Sequence, residues 1–185
     1  MVQGDTSSLV NVGVKSLNGR ENNALYKNLG QSKFADYSFL EGCDLVDDGR
    51  GMAISDVDND GDLDIILNNY LGPMRLLINS NNAKNNWLQL RLTGAKSNRD
   101  AIGARVKVIH SDRRQNLQVT STKGYLSGQS FLLHFGLGNS TVVDTLEVRW
   151  PSGKVESFHN IHANRRLELV EGMSGKQPIQ RTALK

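Results

Sequence analysis

Much that would simplify a reading of this chain is scarce in it. Cys43 is the single cysteine, so no internal disulfide can form, and it reads as a small, partly exposed side chain rather than a catalytic thiol. No apolar run approaches the ~18 residues that a membrane helix requires, so membrane insertion is not expected. Aromatic residues make up only 6% of the chain, although an apolar fraction of 38% still suffices for a core. Residues Met1 to Val14 have neither a basic start nor an apolar centre. They do not form a signal peptide, so the chain is expected either to be cytoplasmic or to follow a leader encoded upstream. Helical periodicity is also missing: no long stretch repeats apolar residues at spacings of three and four.

What is present instead is a succession of short apolar or alternating runs separated by Gly, Asn, Asp and Ser, the pattern of an all-β chain. Strands are expected at Leu25–Asn28, Lys33–Tyr37, Gly51–Ser55, Asp64–Asn68 and Arg75–Asn79. Beyond the Asn-rich connector Asn79–Asn86 they are expected at Trp87–Leu92, Ala104–His110, Asn116–Thr122, Ser130–Phe135, Thr145–Trp150, Val155–Phe158 and Arg165–Val170. A spacing of about 8–12 residues suits a sandwich or barrel. The clean alternation of Trp87 to Leu92 turns Leu88, Leu90 and Leu92 to one side, toward a core. The expected organisation is a flexible lead-in over 1–22, a first unit over 23–80, a second over 86–171 and a loose tail over 172–185.

Charge is unevenly divided. From Asp36 to Asp64 there are ten acids and one base, Arg50, whereas from Lys84 onward sixteen bases face seven acids. The bases are scattered, as at Arg91, Lys96, Arg99, Arg105, Lys107, Arg113 and Arg114. They read as the solvated face of a sheet, not a nucleic-acid interface. The acids do cluster. In Asp56-Val57-Asp58-Asn59-Asp60-Gly61-Asp62-Leu63-Asp64, five carboxylates occupy alternate positions around one glycine. Like charges this close repel, and folding presses them together. A calcium ion reverses that sign, because it takes six to eight oxygen ligands at roughly 2.3–2.6 Å. Asp56, Asp58, Asp60 and Asp64 are the natural side-chain ligands; Asp62 would most simply offer its backbone carbonyl, and Gly61 allows the sharp turn. An EF-hand is excluded: its twelfth position needs a bidentate Glu and is Leu67 here, and its flanking helices are replaced by strand-like runs. A magnesium or two-metal catalytic site would need open positions and a nearby base, for which this crowded loop leaves little room.

Three further motifs precede this loop: Leu25-Tyr26-Lys27-Asn28, Phe34-Ala35-Asp36 and Gly49-Arg50-Gly51-Met52-Ala53. With it they resemble one FG-GAP (VCBS) repeat, a blade of the calcium-binding β-propeller of integrin α subunits. The resemblance implies calcium bound through Asp56, Asp58, Asp60, Asp62 and Asp64. Farther along, six motifs occur in order: Asn86-Trp87-Leu88, Ser97-Asn98-Arg99, Ile102-Gly103-Ala104, Gly124-Tyr125-Leu126-Ser127, His134-Phe135-Gly136-Leu137-Gly138 and Trp150-Pro151-Ser152-Gly153. Together they resemble the ASPIC/UnbV domain, which follows FG-GAP repeats in many bacterial secreted proteins. Gly128, between Ser127 and Gln129, departs from that family's usual Ser-Gln. The two resemblances imply an all-β fold in which a partial propeller blade leads into a small antiparallel β-sandwich or barrel-like domain. They also imply a secreted, periplasmic or extracellular setting. A propeller needs about four to eight blades, so one repeat implies further blades in the same chain or another.

Other constellations are weaker. His159 and His162 have a metal-like gap but no helix to present it, and His134 reads as ordering a strand end. Ser127-Gly128-Gln129-Ser130 is a turn rather than a nucleophile elbow. Gly136-Leu137-Gly138 lacks the third glycine of a nucleotide loop. Asn139-Ser140-Thr141 is a glycosylation sequon. Arg99 and Asp100, with Arg105 and Tyr125, offer either an anion or glycan contact or a structural ion pair. The expectation is thus a calcium-binding binding or adhesion module, its ion structural, its ligand a protein or glycan. The alternatives are an enzyme or accessory protein of secondary metabolism, with His134, Tyr125, Asp100 and Arg99 as its only candidate residues, and a structural cap of a propeller.

Overall fold

The computed structural model describes residues 21–80, 85–125, 127–173 and 179–181. They form an all-β fold of fifteen strands, with no helix among them. No described helix is therefore long and apolar enough to cross a membrane. In chain order the strands are β1 (Glu21–Asn22), β2 (Tyr26–Gly30), β3 (Lys33–Asp36), β4 (Val46–Asp47), β5 (Gly49–Ser55), β6 (Asp64–Asn69), β7 (Arg75–Leu77), β8 (Asn86–Thr93), β9 (Arg105–His110), β10 (Arg113–Gln118), β11 (Leu133–Gly138), β12 (Val142–Arg149), β13 (Val155–His162), β14 (Arg165–Val170) and β15 (Ile179–Arg181). The chain divides into two units. The first takes residues 1–52 and 66–77, the second 53–65 and 78–185.

In the first unit β1 pairs with β4, and β2 with β3 as a hairpin with Tyr26 opposite Asp36. Gly30, Gln31 and Ser32 turn that hairpin with positive φ. Strands β5, β6 and β7 make a three-stranded sheet in that order, with Arg75 forked onto both carboxylate oxygens of Asp47. The unit has little interior: among its described residues no apolar side chain is buried, and Phe39 is 81% exposed.

The second unit holds the core. One sheet runs β10-β9-β12-β13, the other β11-β8-β14-β15. Period-two alternation turns Leu88, Leu90 and Leu92 of β8 inward, where they meet Phe135 and Leu137 of β11 and Leu167 and Leu169 of β14. Val106, Val108, Leu146, Val148 and Phe158 belong to the same core from the other sheet, and Trp150 closes one end. Each fully buried Leu or Phe is worth about 1.5–3 kcal/mol, so this cluster dominates the stability of the unit.

Several sequence expectations need correction. The lead-in and tail are not wholly irregular, since Glu21–Asn22 pairs with β4 and Ile179–Arg181 with β14. Strand β13 runs on to His162 because Thr145, Val143 and Val142 of β12 keep pairing with it. Strand β14 joins β8 in parallel, Arg166 beside Gln89, within an otherwise antiparallel set. The remaining lead-in (1–20), connector positions 81–84, Leu126 and tail positions 174–178 and 182–185 lie outside the described residues.

Candidate metal centre

The acidic loop joins β5 to β6. Asp56 follows the last residue of β5 and Asp64 opens β6. The short carboxylates between them hold the backbone in successive turns: Asp58 Oδ1 accepts the amide of Asp60 at 3.2 Å, and Asp60 Oδ1 that of Asp62 at 2.8 Å. Asn59 and Gly61 sit at positive φ, 63° and 100°. Glycine meets no steric penalty there, and asparagine tolerates it better than most residues. Asp64 is buried and closes the loop, accepting the Val57 amide at 2.8 Å and the Asn79 amide at 2.9 Å.

Three of the five expected ligands converge. Asp56, Asp58 and Asp64 each bring one carboxylate oxygen within 4.8 Å of the other two. That separation fits oxygens on one shell about 2.4 Å from a cation. Asp60 and Asp62 lie outside this triad. Asp60 is exposed, and Asp62 is half-buried beside the triad. Burial, then repulsion from Asp60, raises the Asp62 carboxyl above its ordinary value; Asp56 and Asp64 add to this and His134 opposes it. Asp56 is the least satisfied member. Its Oδ2 accepts the Gln89 amide at 2.8 Å, whereas its buried Oδ1 has no hydrogen-bond partner among the described residues. A buried carboxylate oxygen left bare costs about 1–3 kcal/mol or more, and a hard cation removes that cost.

The loop is seated on the outer face of β8 and its neighbours. Because β8 alternates, Trp87, Gln89, Arg91 and Thr93 point away from the leucine core. Gln89 is nonetheless fully buried. It stands in a row across three strands, with His134 of β11 on one side and Arg166 of β14 on the other. Its amide group donates to Asp56 and contacts His134 Nδ1 at 3.4 Å, while its carbonyl accepts Arg166 Nε at 2.8 Å. Only this orientation of the amide puts N–H groups against the carboxylate and a carbonyl against the guanidinium. Arg166 also reaches the loop, donating to Asn59 Oδ1 at 3.3 Å. The Trp87 and His134 rings stack with centroids 6.3 Å apart. Burial lowers the His134 pKa, against the pull of Asp56 and Asp62.

The other expected site residues do not assemble into one centre. His159 contacts Thr145 Oγ1 and Asp144 O. His159 and His162 belong to no metal-capable cluster among the described residues. His110 is buried in a polar chain, with Ser140 Oγ 3.0 Å from Nδ1 and Gln115 Nε2 2.9 Å from Nε2. Arg99 and Asp100 line one cleft, but Asp100 pairs with Arg91 at 2.6 Å rather than with Arg99 or Arg105. Tyr125 is 72% exposed, and it does not line that cleft. Asn139 of the sequon is exposed just past β11. Of the enzyme candidates, Arg99 and Asp100 line this cleft, whereas His134 and Tyr125 do not.

Gln89, Arg166 and Glu171 carry no local signal in residue order. Glu171 is buried and gathers the backbone amides of Ala95, Lys96 and Ser97 at 2.7–2.9 Å together with the Ser152 hydroxyl. Burial works against its charge, but those donors prevail and hold its pKa at about 2. It anchors a loop and belongs to no metal-capable cluster among the described residues.

Residues 94–176 match the family model described as ASPIC and UnbV. The chain is 35% identical over 114 residues to cartilage acidic protein 1 of Xenopus tropicalis, covering 58% of this chain and 17% of that protein. It is 31% identical over 113 residues to cartilage acidic protein 1 of Mus musculus and of Homo sapiens, covering 59% of this chain and 17% of each. The chain thus spans about a sixth of the length of these relatives.

Proposed function

We propose that this chain is a calcium-binding, extracytoplasmic binding or adhesion module in which the ion is a structural clasp, not a catalyst. The observation that carries the reading is the buried, unpartnered Oδ1 of Asp56 in a triad with Asp58 and Asp64. Three carboxylates at such separation repel each other unless a cation neutralises them. Backbone carbonyls of the loop and water would complete a calcium shell of six to eight oxygens. Both segments flanking the loop are strands, so binding energy goes into holding a hairpin tip in place rather than into moving helices.

Residues 23–80 read best as one FG-GAP blade. None of its described apolar side chains is buried and many, such as Phe34, Phe39 and Leu40, are exposed, as expected of a blade that packs against further blades in the same chain or another. The likeness to cartilage acidic protein 1 supports a secreted setting, and the ligand proposed for the whole protein is a protein or a glycan.

The test is thermal unfolding of the whole chain in calcium and in EDTA. Calcium at about 100 times its Kd adds about 2.7 kcal/mol, which raises Tm by about 5–10 °C for a chain of this size. Asp58→Ala, an exposed change, erases the difference. Identical Tm values in calcium and in EDTA for the unaltered chain sink the reading.

A further inference from the structure

The row beneath the acidic loop leads into a second feature. One step along β8 from Gln89 on the same outward face stands Arg91, with Glu168 of β14 beside it in register. Both line an open cleft of about 440 Å³, together with Arg99, Asp100, Thr93 and Arg166. That volume lies in the range of small-molecule sites.

The charges in this cleft are not equivalent. Arg91 is neutralised by Asp100 at 2.6 Å and lies 5.4 Å over the Phe131 ring. Glu168 accepts the Thr93 hydroxyl at 3.3 Å. Arg99 and Arg166 have no ion-pair partner among the described residues. Arg166 is instead clamped by two neutral oxygens, Gln89 Oε1 and Asn59 Oδ1, which orient its fork without cancelling its charge. An uncancelled, oriented guanidinium is suited to two-pronged recognition of an oxyanion. Asp100, Thr93 and Ser130 of the lining add hydrogen-bonding groups for hydroxyls on the same ligand. One oxyanion on a body carrying several hydroxyls describes an acidic sugar, its anionic group a carboxylate or a sulfate.

We propose that this cleft binds an acidic sugar unit, with its oxyanion on Arg99 and Arg166, and that the acidic loop positions Arg166 through Gln89 and Asn59. The second part rests on the calcium reading above. An ion that draws in Asp56 fixes the Gln89 amide, and the Gln89 carbonyl then fixes Arg166. Gln89 and Asn59 are positioning residues and need not touch the sugar.

Isothermal titration of the whole chain tests this, with glucuronate and N-acetylglucosamine 6-sulfate as acidic probes. Glucose and N-acetylaspartate are the controls, and each titration is run in calcium and in EDTA. At least one acidic sugar is expected to bind, and which one identifies the oxyanion. Arg99→Gln and Arg166→Gln should each weaken binding about tenfold or more, and EDTA should weaken it several-fold. Asn59→Gly, which removes the side chain and suits the positive φ at that position, should reduce the effect of EDTA on sugar binding while leaving the calcium-induced rise in Tm. If neither acidic sugar binds while calcium still raises Tm, the cleft assignment is wrong and the calcium reading stands. Binding of N-acetylaspartate as tight as that of the acidic sugars also overturns the sugar assignment. Arginine-dependent sugar binding without any calcium effect on Tm would remove the calcium reading and the coupling with it.

Discussion

Gly61 lies against the indole of Trp87 so closely that a β-carbon on it would come within 1.8 Å of the ring nitrogen. The glycine therefore serves two purposes: a backbone at φ 100° and a flat contact between the loop and the outer face of β8. Gly61→Ala is expected to cost about 1–3 kcal/mol and to cut the calcium-induced rise in Tm at least by half. Calorimetry on that variant and on Gly61→Ala/Trp87→Ala separates the two contributions. The double variant should recover part of the calcium response, because removing the ring leaves only the backbone strain. No recovery would mean that the contact with Trp87 is immaterial.

Glu171 predicts an acid dependence with a definite sign. Its pKa in the fold is about 2 against an ordinary 4.5. A lowered carboxyl stabilises the fold above its unfolded value, so this contribution is complete above pH 4.5 and fades as the pH falls toward 2. Glu171→Gln should lose about 1–3 kcal/mol at neutral pH. Its deficit relative to the unaltered chain should shrink steadily through that acid range, as urea titrations at several pH values would record. A deficit that stays constant with pH would assign the loss to packing rather than charge.

The His110 chain makes a separate prediction. Gln115 uses one side-chain amide to reach both His110 Nε2 at 2.9 Å and the Gly136 carbonyl at 2.7 Å, tying β10 to β11. Gln115→Leu keeps the bulk but leaves a buried ring nitrogen without that donor. A loss of about 1–3 kcal/mol is expected, visible as a fall in Tm of about 2–12 °C. An unchanged Tm would show that water replaces the glutamine without cost.

The two units should answer core truncation differently. Leu90 is fully buried in the sandwich, so Leu90→Ala should cost about 2–5 kcal/mol. Phe39 is 81% exposed, and Phe39→Ala should change stability by less than about 0.5 kcal/mol. Denaturant midpoints of the two variants check this. A large loss at Phe39 would mean that the residue is covered in solution, as by a second copy of the chain.

Much of this was legible in residue order. Alternation at Trp87–Leu92 identified the inward leucines, since a strand must choose one face, and the five alternate aspartates marked the loop. What remained hidden was what lies across from what. Nothing local distinguishes Gln89 from a solvent-exposed strand residue, because its burial comes from a loop over thirty positions earlier and from Arg166 at a separation of 77 residues. Asp100 was readable as one half of an ion pair, but its partner Arg91 is set by the fold around the cleft. Strands β1 and β4, two residues each, are too short to carry a periodic signal.

The parallel seam between β8 and β14 also orders events in time. Residues 88–93 find their partners only at 165–170, so the strand that seats the acidic loop stays half-paired until nearly the whole chain is available. Closing so long a loop is slow relative to forming hairpins such as β12–β13. During synthesis the aspartates emerge long before Arg166 and spend that interval without the support that holds Gln89 beneath them. The seat of the acidic loop is thus among the last parts of this unit to be assembled, and a chain truncated before β14 would carry every aspartate of the loop without the completed seat.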